Sequence, residues 1–269
     1  MNSNYKVTKF RSNKSSEIDD QISIEEPLEI ILKYQNKDNW IKDTISITMR
    51  TPGDDEDLVT GFLFNERVIE KINYIKNIEF SGKPVGQYKL HNKVIVTINN
   101  SENVDINKIK RNFLTNSSCG VCGKTSLESL EIIKKDKIIK SIPKIHHEII
   151  MKSPSMLRKN QSEFSKTGGI HASGLFNTSG EIIALKEDVG RHNALDKLIG
   201  FILKKKLLDN SSQFLTCSGR LNFDLVQKAL MSNIGVIIGV GAPTSLAIDL
   251  ANKFDMTLVG FVKEGSFNI

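Results

Sequence analysis

Glycine is spread unevenly along this chain, and that constrains the fold more than any other feature: of 18 glycines, 12 lie at or beyond Gly168. They fall between short β-branched runs and longer amphipathic runs, where a chain must turn tightly or let another backbone come close. Phe214 to Cys217, Gly235 to Val240 and Met256 to Phe261 have the composition of strands. His192 to Leu203, Phe223 to Met231 and Thr244 to Phe254 have helical periodicity. Ala172 to Phe176 and Glu181 to Leu185, joined by Asn177-Thr178-Ser179-Gly180, read as a β-hairpin leading into these units. Ser153 to Lys166 reads as one helix stopped by Gly168-Gly169. The expected fold class is α/β, with helices covering a mixed sheet.

The amino-terminal half has another character. Residues 1 to about 20 are polar without periodicity, which predicts a disordered tail. Leu28 to Leu32 and Ile45 to Met49 read as strands, and Gln87 to Leu90 with Lys93 to Ile98 as a hairpin around His91-Asn92. Between them, Arg50-Thr51-Pro52-Gly53-Asp54-Asp55-Glu56-Asp57 is a turn ending in carboxylates suited to the free N–H groups of a helix start. The expected organisation is a tail over 1–20, a smaller strand-rich domain over 21–112, a cysteine loop and linker over 113–150, and an α/β domain over 151–269. No internal repeat or low-complexity segment is visible.

A chain of 269 residues with 39% hydrophobic content can bury a sizeable core. The net charge of +6 favours anionic ligands or acidic protein surfaces. Its lysines are scattered or in short runs such as Lys204-Lys205-Lys206, without an arginine-rich aromatic stripe, so nucleic acid is not expected as a partner. Three cysteines and the absence of a signal-peptide pattern argue against a disulfide-stapled secreted scaffold and make the cytoplasm the expected location. The longest apolar stretch, Val236 to Leu250, is interrupted by Gly239, Gly241, Pro243 and Asp249, so membrane insertion is not expected.

Two of the cysteines stand in Asn116-Ser117-Ser118-Cys119-Gly120-Val121-Cys122-Gly123-Lys124, a setting of small residues that lets a partner reach sulfur. A Cys-x-x-Cys pair fits half a zinc site, a redox dithiol, a sulfur relay or inert thiols. A zinc site would need Cys217, His146, His147, His171 or His192 to complete it, and none of these forms a second paired motif. A thioredoxin-type pair should open a helix after a strand, whereas this one lies among glycine and serine. Lys124 and the neighbouring glycine N–H groups favour a thiolate at Cys119 or Cys122.

Further polar motifs mark predicted strand ends. His171 follows a double glycine, where it serves either as a satisfied turn residue or as a ligand contact. Glu187 to Lys197 lies at a strand-to-helix junction; Asp188 and Arg191 are candidates for a fixed pair, or Arg191 and His192 face an anion at the helix start. Ser218, Gly219 and Arg220 repeat the theme with a guanidinium suited to phosphate. Gly241-Ala242-Pro243-Thr244-Ser245 adds helix-capping hydroxyls, and Phe261, Val262, Lys263, Glu264, Gly265 and Ser266 end the last strand. Together they suggest basic, glycine-rich strand ends converging on a large phosphorylated ligand.

The stretches RTPGDDEDL (50–58), CGVCGK (119–124), TGGIHA (167–172), EDVGRHNALDK (187–197), SGR (218–220), APTSLA (242–247) and TLVGF (257–261), in this order, resemble the FdhD family of sulfur carriers needed for formate dehydrogenase activity. The resemblance covers the chain from about residue 22 to its end. It implies a cytidine deaminase-like three-layer α/β domain and a homodimer. It also implies a sulfurtransferase that takes sulfur from a cysteine desulfurase and passes it to the molybdenum cofactor, a bis(molybdopterin guanine dinucleotide), for formate dehydrogenase. Cys119 matches the family's persulfide-bearing cysteine, Cys122 its motif partner, and Phe261 to Ser266 the cofactor segment. The other strand ends would hold the guanine nucleotide arms, and a free guanine nucleotide is expected to occupy the same site. A non-catalytic cofactor chaperone and a cytosolic dithiol oxidoreductase are the rival readings. Zinc deamination is rejected, since no His-x-Glu precedes a Pro-Cys-x-x-Cys motif, and no metal ligand is assigned. Cys217 lies outside the family's pattern and reads as a buried core thiol or a third redox-active sulfur.

Overall fold

The structure, a computed structural model, describes residues 2–37, 39–84, 88–99, 142–209 and 211–269. It opens with an antiparallel hairpin, β1 (Asn2–Arg11) and β2 (Lys14–Ser23), where a disordered tail was expected. Ser12 and Asn13 both take positive φ (45° and 65°), the two-residue geometry whose twist matches paired strands. Its base is tied down by Ser23 Oγ to Thr167 Oγ1 (2.6 Å) and by Asn2 Nδ2 donating to Glu163 Oε2 (3.0 Å). Most of the hairpin is exposed on both faces, so no apolar alternation announces it in the sequence.

A four-stranded sheet follows, in the order β4-β3-β6-β5, from β3 (Glu26–Asn36), β4 (Asn39–Arg50), β5 (Ile75–Ser81) and β6 (Lys93–Ile98). Leu28, Ile30, Leu32 and Tyr34 alternate along β3 into a core shared with Leu58, Val59 and Leu63 of helix α1 (Asp55–Asn65). The acidic turn does start this helix, with Asp55, Glu56 and Asp57 in its first turn. The expected hairpin over 87–98 is not formed. Strand β6 pairs antiparallel with β5 and parallel with β3, because Val94 to Ile98 are all buried and need a partner on either side. Tyr88 and Lys89 form a turn instead, and Gln87 lies outside the described residues.

The carboxy-terminal sheet has six strands in the order β12-β11-β10-β9-β7-β8. They are β7 (His171–Asn177), β8 (Ile182–Asp188), β9 (Gln213–Cys217), β10 (Val236–Gly239), β11 (Thr257–Lys263) and β12 (Ser266–Asn268). Strands β9, β10 and β11 are parallel, and β7 runs antiparallel to both β8 and β9. Alternate residues feed two cores. Leu215 and Ile237 face α4 (Arg191–Lys205), α5 (Phe223–Met231) and α6 (Ser245–Lys253); Phe214, Val236 and Ile238 face α2 (His147–Lys159). Helices thus cover both faces, as the alternating pattern predicted.

The single helix expected over 153–166 is two: α2, and α3 (Ser162–Thr167). Pro154 is tolerated inside α2 because Ser153 Oγ donates to the Ile150 carbonyl (3.0 Å), the acceptor that proline cannot reach. Helix α3 starts afresh where Glu187 of β8 accepts from the N–H groups of Glu163 and Phe164 (3.0 Å each). Gly168, at φ 67°, ends it.

The two sheets are joined by a close crossing of α1 and α4. A Cβ at Gly61 would land on the Asp196 carbonyl, and one at Gly200 on the Asp57 carbonyl, so backbone packs on backbone. Beside it, Lys228 of α5 donates to both carboxylate oxygens of Asp196 (2.7 Å each), and Asn65 Nδ2 donates to Asp196 Oδ1 (2.6 Å).

Candidate functional site

The start of β7 and the carboxyl ends of β8 to β11 share one edge of the six-stranded sheet. His171 and Asp188 are opposite in register, and Ser173 pairs with Cys217, which pairs with Gly239. In open α/β sheets ligands bind beyond such carboxyl ends, where loops diverge. The loops are stitched together through their backbones. The N–H of Ser218 donates to the Ala172 carbonyl (3.0 Å), that of Gly241 to the Gly219 carbonyl (3.3 Å), and that of Phe261 to the Gly241 carbonyl (3.2 Å).

Upon this scaffold stand the two histidines. Ser218 Oγ accepts from the Ala172 N–H (2.9 Å) and lies 3.3 Å from His171 Nδ1. The hydroxyl thus ties the His171 ring to the Ala172 backbone, fixing the orientation of the imidazole. Gly219 lets the ring lie against the backbone: a Cβ there would be 3.3 Å from the imidazole and 3.8 Å from Arg191 Cδ. Burial, then the Arg191 charge, push the His171 pKa down against the opposing pull of Asp188. His192 is pushed down to about 3, first by burial and then by Lys228 and Arg191. Its Nε2 lies 3.0 Å from Asn222 Nδ2 and 3.3 Å from Asn222 Oδ1, so Asn222 serves the ring in either tautomer, and Asn222 Oδ1 also caps α5 through the Leu225 N–H (3.3 Å). Asp224 Oδ2 is 3.8 Å from His192 Nε2, but a neutral ring makes no ion pair with it. Both imidazoles are therefore neutral near pH 7.

Positive charge comes from arginine. Arg191 lies beside His171 and Gly219, and its Nε is buried without a hydrogen-bond partner among the described residues. Arg220 is exposed in the turn after β9, its backbone pressed on Gly241, where a Cβ would sit 2.9 Å from Arg220 Cα. A buried guanidinium donor left open, two neutral imidazoles and backbone brought close by glycine make a surface suited to an oxyanion.

His171, Arg191, His192, Ser218, Gly219 and Arg220 are thus brought to one edge, with Phe261 at its margin, half exposed and at φ 54°. The remainder of the last segment runs on past this edge. Val262 is buried in the core under α2, which leaves only its backbone for a ligand. Lys263, Glu264, Gly265 and Ser266 form the exposed turn into β12. Cys119 and Cys122 lie outside the described residues. Cys217 is buried at the end of β9, its thiol pushed up to about 11 by burial and 3.7 Å from Ser173 Oγ, which fits a core thiol. Thr244 occupies the cap position of α6 without a side-chain cap hydrogen bond.

Two features escaped the sequence reading. Asn222 orients His192, yet nothing in the sequence marks it beyond its place before a helix. Asp188 does not pair with Arg191: its Oδ2 meets Lys197 Nζ at 2.7 Å in a fully buried contact. The spacing from a strand end to two turns into the next helix could have suggested it. A cleft of about 260 Å³ opens elsewhere, between Thr51 to Asp54, Asn160 to Glu163 and β8. Its lysines are already paired, Lys186 with Asp54 and Asp57, Lys197 with Asp188, so it offers no open cation to an anion. A second, of about 320 Å³, is walled by Asp54 to Asp57 and Lys204, which binds Glu56 and Asp57. His146, His147 and Glu148 bring ligand atoms within 4.8 Å of one another, all exposed. They open α2, where the positive end of the helix dipole disfavours a cation. Among the described residues, no helix is long and apolar enough to cross a membrane.

A sequence model of the FdhD/NarQ family matches residues 23–269. A protein from Picrophilus torridus named sulfur carrier protein FdhD is 43% identical over 252 residues, 94% of this chain and 90% of the other. One of the same name from Streptomyces coelicolor is 40% identical, covering 98% and 92%. A crystal structure from Desulfotalea psychrophila, described as a formate dehydrogenase accessory protein, superposes with a TM-score of 0.70 at 25% identity, covering 99% of this chain and 95% of that one. An α/β chain with a basic strand-end edge, matched over nearly its whole length, belongs to the FdhD/NarQ family.

Proposed function

We propose that this protein is a sulfur carrier for formate dehydrogenase maturation, working as a cytoplasmic homodimer. It takes persulfide sulfur from a cysteine desulfurase on Cys119 and delivers it to bis(molybdopterin guanine dinucleotide)-bound molybdenum. The observation that carries the cofactor half is the open edge where Arg191 presents an unpartnered buried Nε beside two neutral histidines and the Gly219 backbone. The pyrophosphate arms of the substrate need such donors, and Arg220 and Lys263 add charge at the rim. Neutral imidazoles suit this task, since they donate or accept without bringing further charge beside the arginine.

The chemistry balances in two exchanges. The Cys119 thiolate attacks the terminal sulfur of the donor persulfide; that sulfur is bound to Cys119 as the donor's S–S bond breaks, and the donor leaves as a thiolate. The Cys122 thiolate then attacks Cys119 Sγ, the persulfide S–S bond breaks, and the terminal sulfur departs with the electron pair as sulfide, the form that ligates molybdenum. A Cys119–Cys122 disulfide remains, which a thiol reductant resets.

Incubation with a desulfurase and cysteine, followed by peptide mass spectrometry, tests the reading. The peptide holding Cys119 is expected to gain the mass of one sulfur atom, while Cys217, buried and protonated, gains none. Cys119→Ala is expected to abolish activation of formate dehydrogenase; activation that persists identifies a cofactor chaperone instead. Turnover of a disulfide substrate without any nucleotide requirement would identify an oxidoreductase.

A further inference from the structure

We propose that Thr51, acting through Asp188 and Lys197, is a positioning residue for Arg191 and His192, so that the amino-terminal sheet sets the geometry of the anion site on the carboxy-terminal one. This rests on reading the strand-end edge as the cofactor site. The RTPGDDEDL stretch, which that reading leaves without a task, supplies the residue.

Only Val189 and Gly190 separate β8 from α4, so their conformation fixes where the first turn of α4 points. Both of their N–H groups are held by side chains of one buried network. Val189 donates to Thr51 Oγ1 (3.1 Å), and Gly190 donates to Asp188 Oδ1 (2.8 Å). Thr51 uses every polar group it has: its N–H donates to Asp188 Oδ2 (3.1 Å), and its carbonyl accepts from Lys197 Nζ (2.7 Å). Lys197 closes the ring on Asp188 Oδ2 at 2.7 Å. Thr51, Asp188 and Lys197 are 3%, 0% and 2% exposed, so the network is buried and each lost contact is costly. Asn193 adds a second tie, donating to the Met49 carbonyl (2.7 Å) and accepting from Thr48 Oγ1 (3.2 Å).

The helix holds Asp188 from its own side, through Asn193 Nδ2 (3.2 Å) and Lys197 Nζ (2.7 Å), but it offers nothing to the Val189 N–H. Gly190 at its cap has no side chain to offer, and Asn193, one turn in, divides its amide between the Met49 carbonyl and Asp188 Oδ1, so the Val189 N–H is left to Thr51. Loss of the Thr51 hydroxyl would therefore free the Val189 N–H and let the turn relax, moving Arg191 and His192 while leaving both cores packed. Arg50 secures the other side: it holds Asp55 through two contacts of 2.9 Å, which fixes the turn that carries Thr51.

The test uses the full chain, with guanosine diphosphate as probe in isothermal titration and the His192 imidazole followed by NMR. Thr51→Val keeps the shape and deletes the acceptor, Thr51→Ser keeps the hydroxyl, and Ile98→Val weakens the amino-terminal core away from the junction. Thr51→Val is expected to weaken binding about tenfold and to shift the His192 signals without ligand, with Thr51→Ser and Ile98→Val close to wild type on both counts. Thr51→Ala makes the same deletion should the valine variant not fold. Wild-type affinity together with unmoved His192 signals in the deletion variants would overturn the proposal, as would equal weakening by Ile98→Val. Should the wild type fail to bind the nucleotide while Thr51→Val still moves His192, the positioning holds and the cofactor-site reading falls.

Discussion

His192 shows how far one residue's surroundings reach. Its folded pKa of about 3 lies below the ordinary histidine value of 6.5, so the native protein binds fewer protons than the unfolded chain below that value. Stability is therefore unaffected by this group above about pH 6.5 and falls with added acid toward pH 3, by up to about 1.4 kcal/mol per pH unit. His171, also lowered, acts in the same direction. Buried Asp188 and Asp196, held above their ordinary values by burial, oppose it, so the net slope of the wild type is not diagnostic. The difference from His192→Gln is. Urea denaturation between pH 7.5 and pH 5, two pH values chosen on either side of about 6.5, should show the variant losing less stability than wild type as acid is added. Parallel curves would mean that His192 is protonated in the folded protein. At the same scale, Arg191→Lys should weaken nucleotide binding about tenfold, because an ammonium has no counterpart to the open Nε donor.

Among the elements, the crossing of α1 and α4 makes a sharper demand than any strand. Gly61 and Gly200 allow backbone-to-backbone contact, so Gly200→Ala must push the helices apart, at a cost of about 3 kcal/mol. Gly53 is the contrast: at φ 103° with nothing within 4 Å, alanine there meets only backbone strain, about 1 kcal/mol. Chemical denaturation of the two variants should separate them by about 2 kcal/mol, and equal losses would refute the close crossing. What the sequence made legible follows from the same logic of local signals. Leu28 to Leu32, Phe214 to Cys217 and Gly235 to Val240 alternate or run apolar because one or both faces are buried, and glycines mark the ends that form the site. The β1–β2 hairpin buries neither face and left no pattern. The partnership of β6 with β5 and β3 is set by tertiary pairing across long separations, and no local window carries it. Asp188 with Thr51, 137 residues apart, was hidden for the same reason.

Across the whole molecule, one buried ion pair fastens three helices. Asp196 of α4, fully enclosed, faces Lys228 of α5 at 2.7 Å through both oxygens, while Asn65 at the end of α1 completes its coordination. Burial lifts the carboxyl, yet the carboxylate also raises the ammonium of Lys228, and with Glu66 only 3.9 Å away the lysine stays charged. Such a pair offsets its own desolvation only while complete. Lys228→Met would strand Asp196 in the core and is expected to cost about 4 kcal/mol. Asp196→Asn combined with Lys228→Met removes both charges while Asn65 keeps an acceptor, and should recover more than half of that loss. Because the pair also engages Asn65 and Glu66 at the end of α1, the single variant should loosen the amino-terminal sheet from the rest. Amide hydrogen exchange should then show strands β3 and β6 losing protection in Lys228→Met and regaining it in the double variant. If the double variant is no more stable than the single one, the pair acts through packing of the lysine stem and not through charge, and the union of the two sheets rests on the glycine crossing and the ties of Thr51 and Asn193.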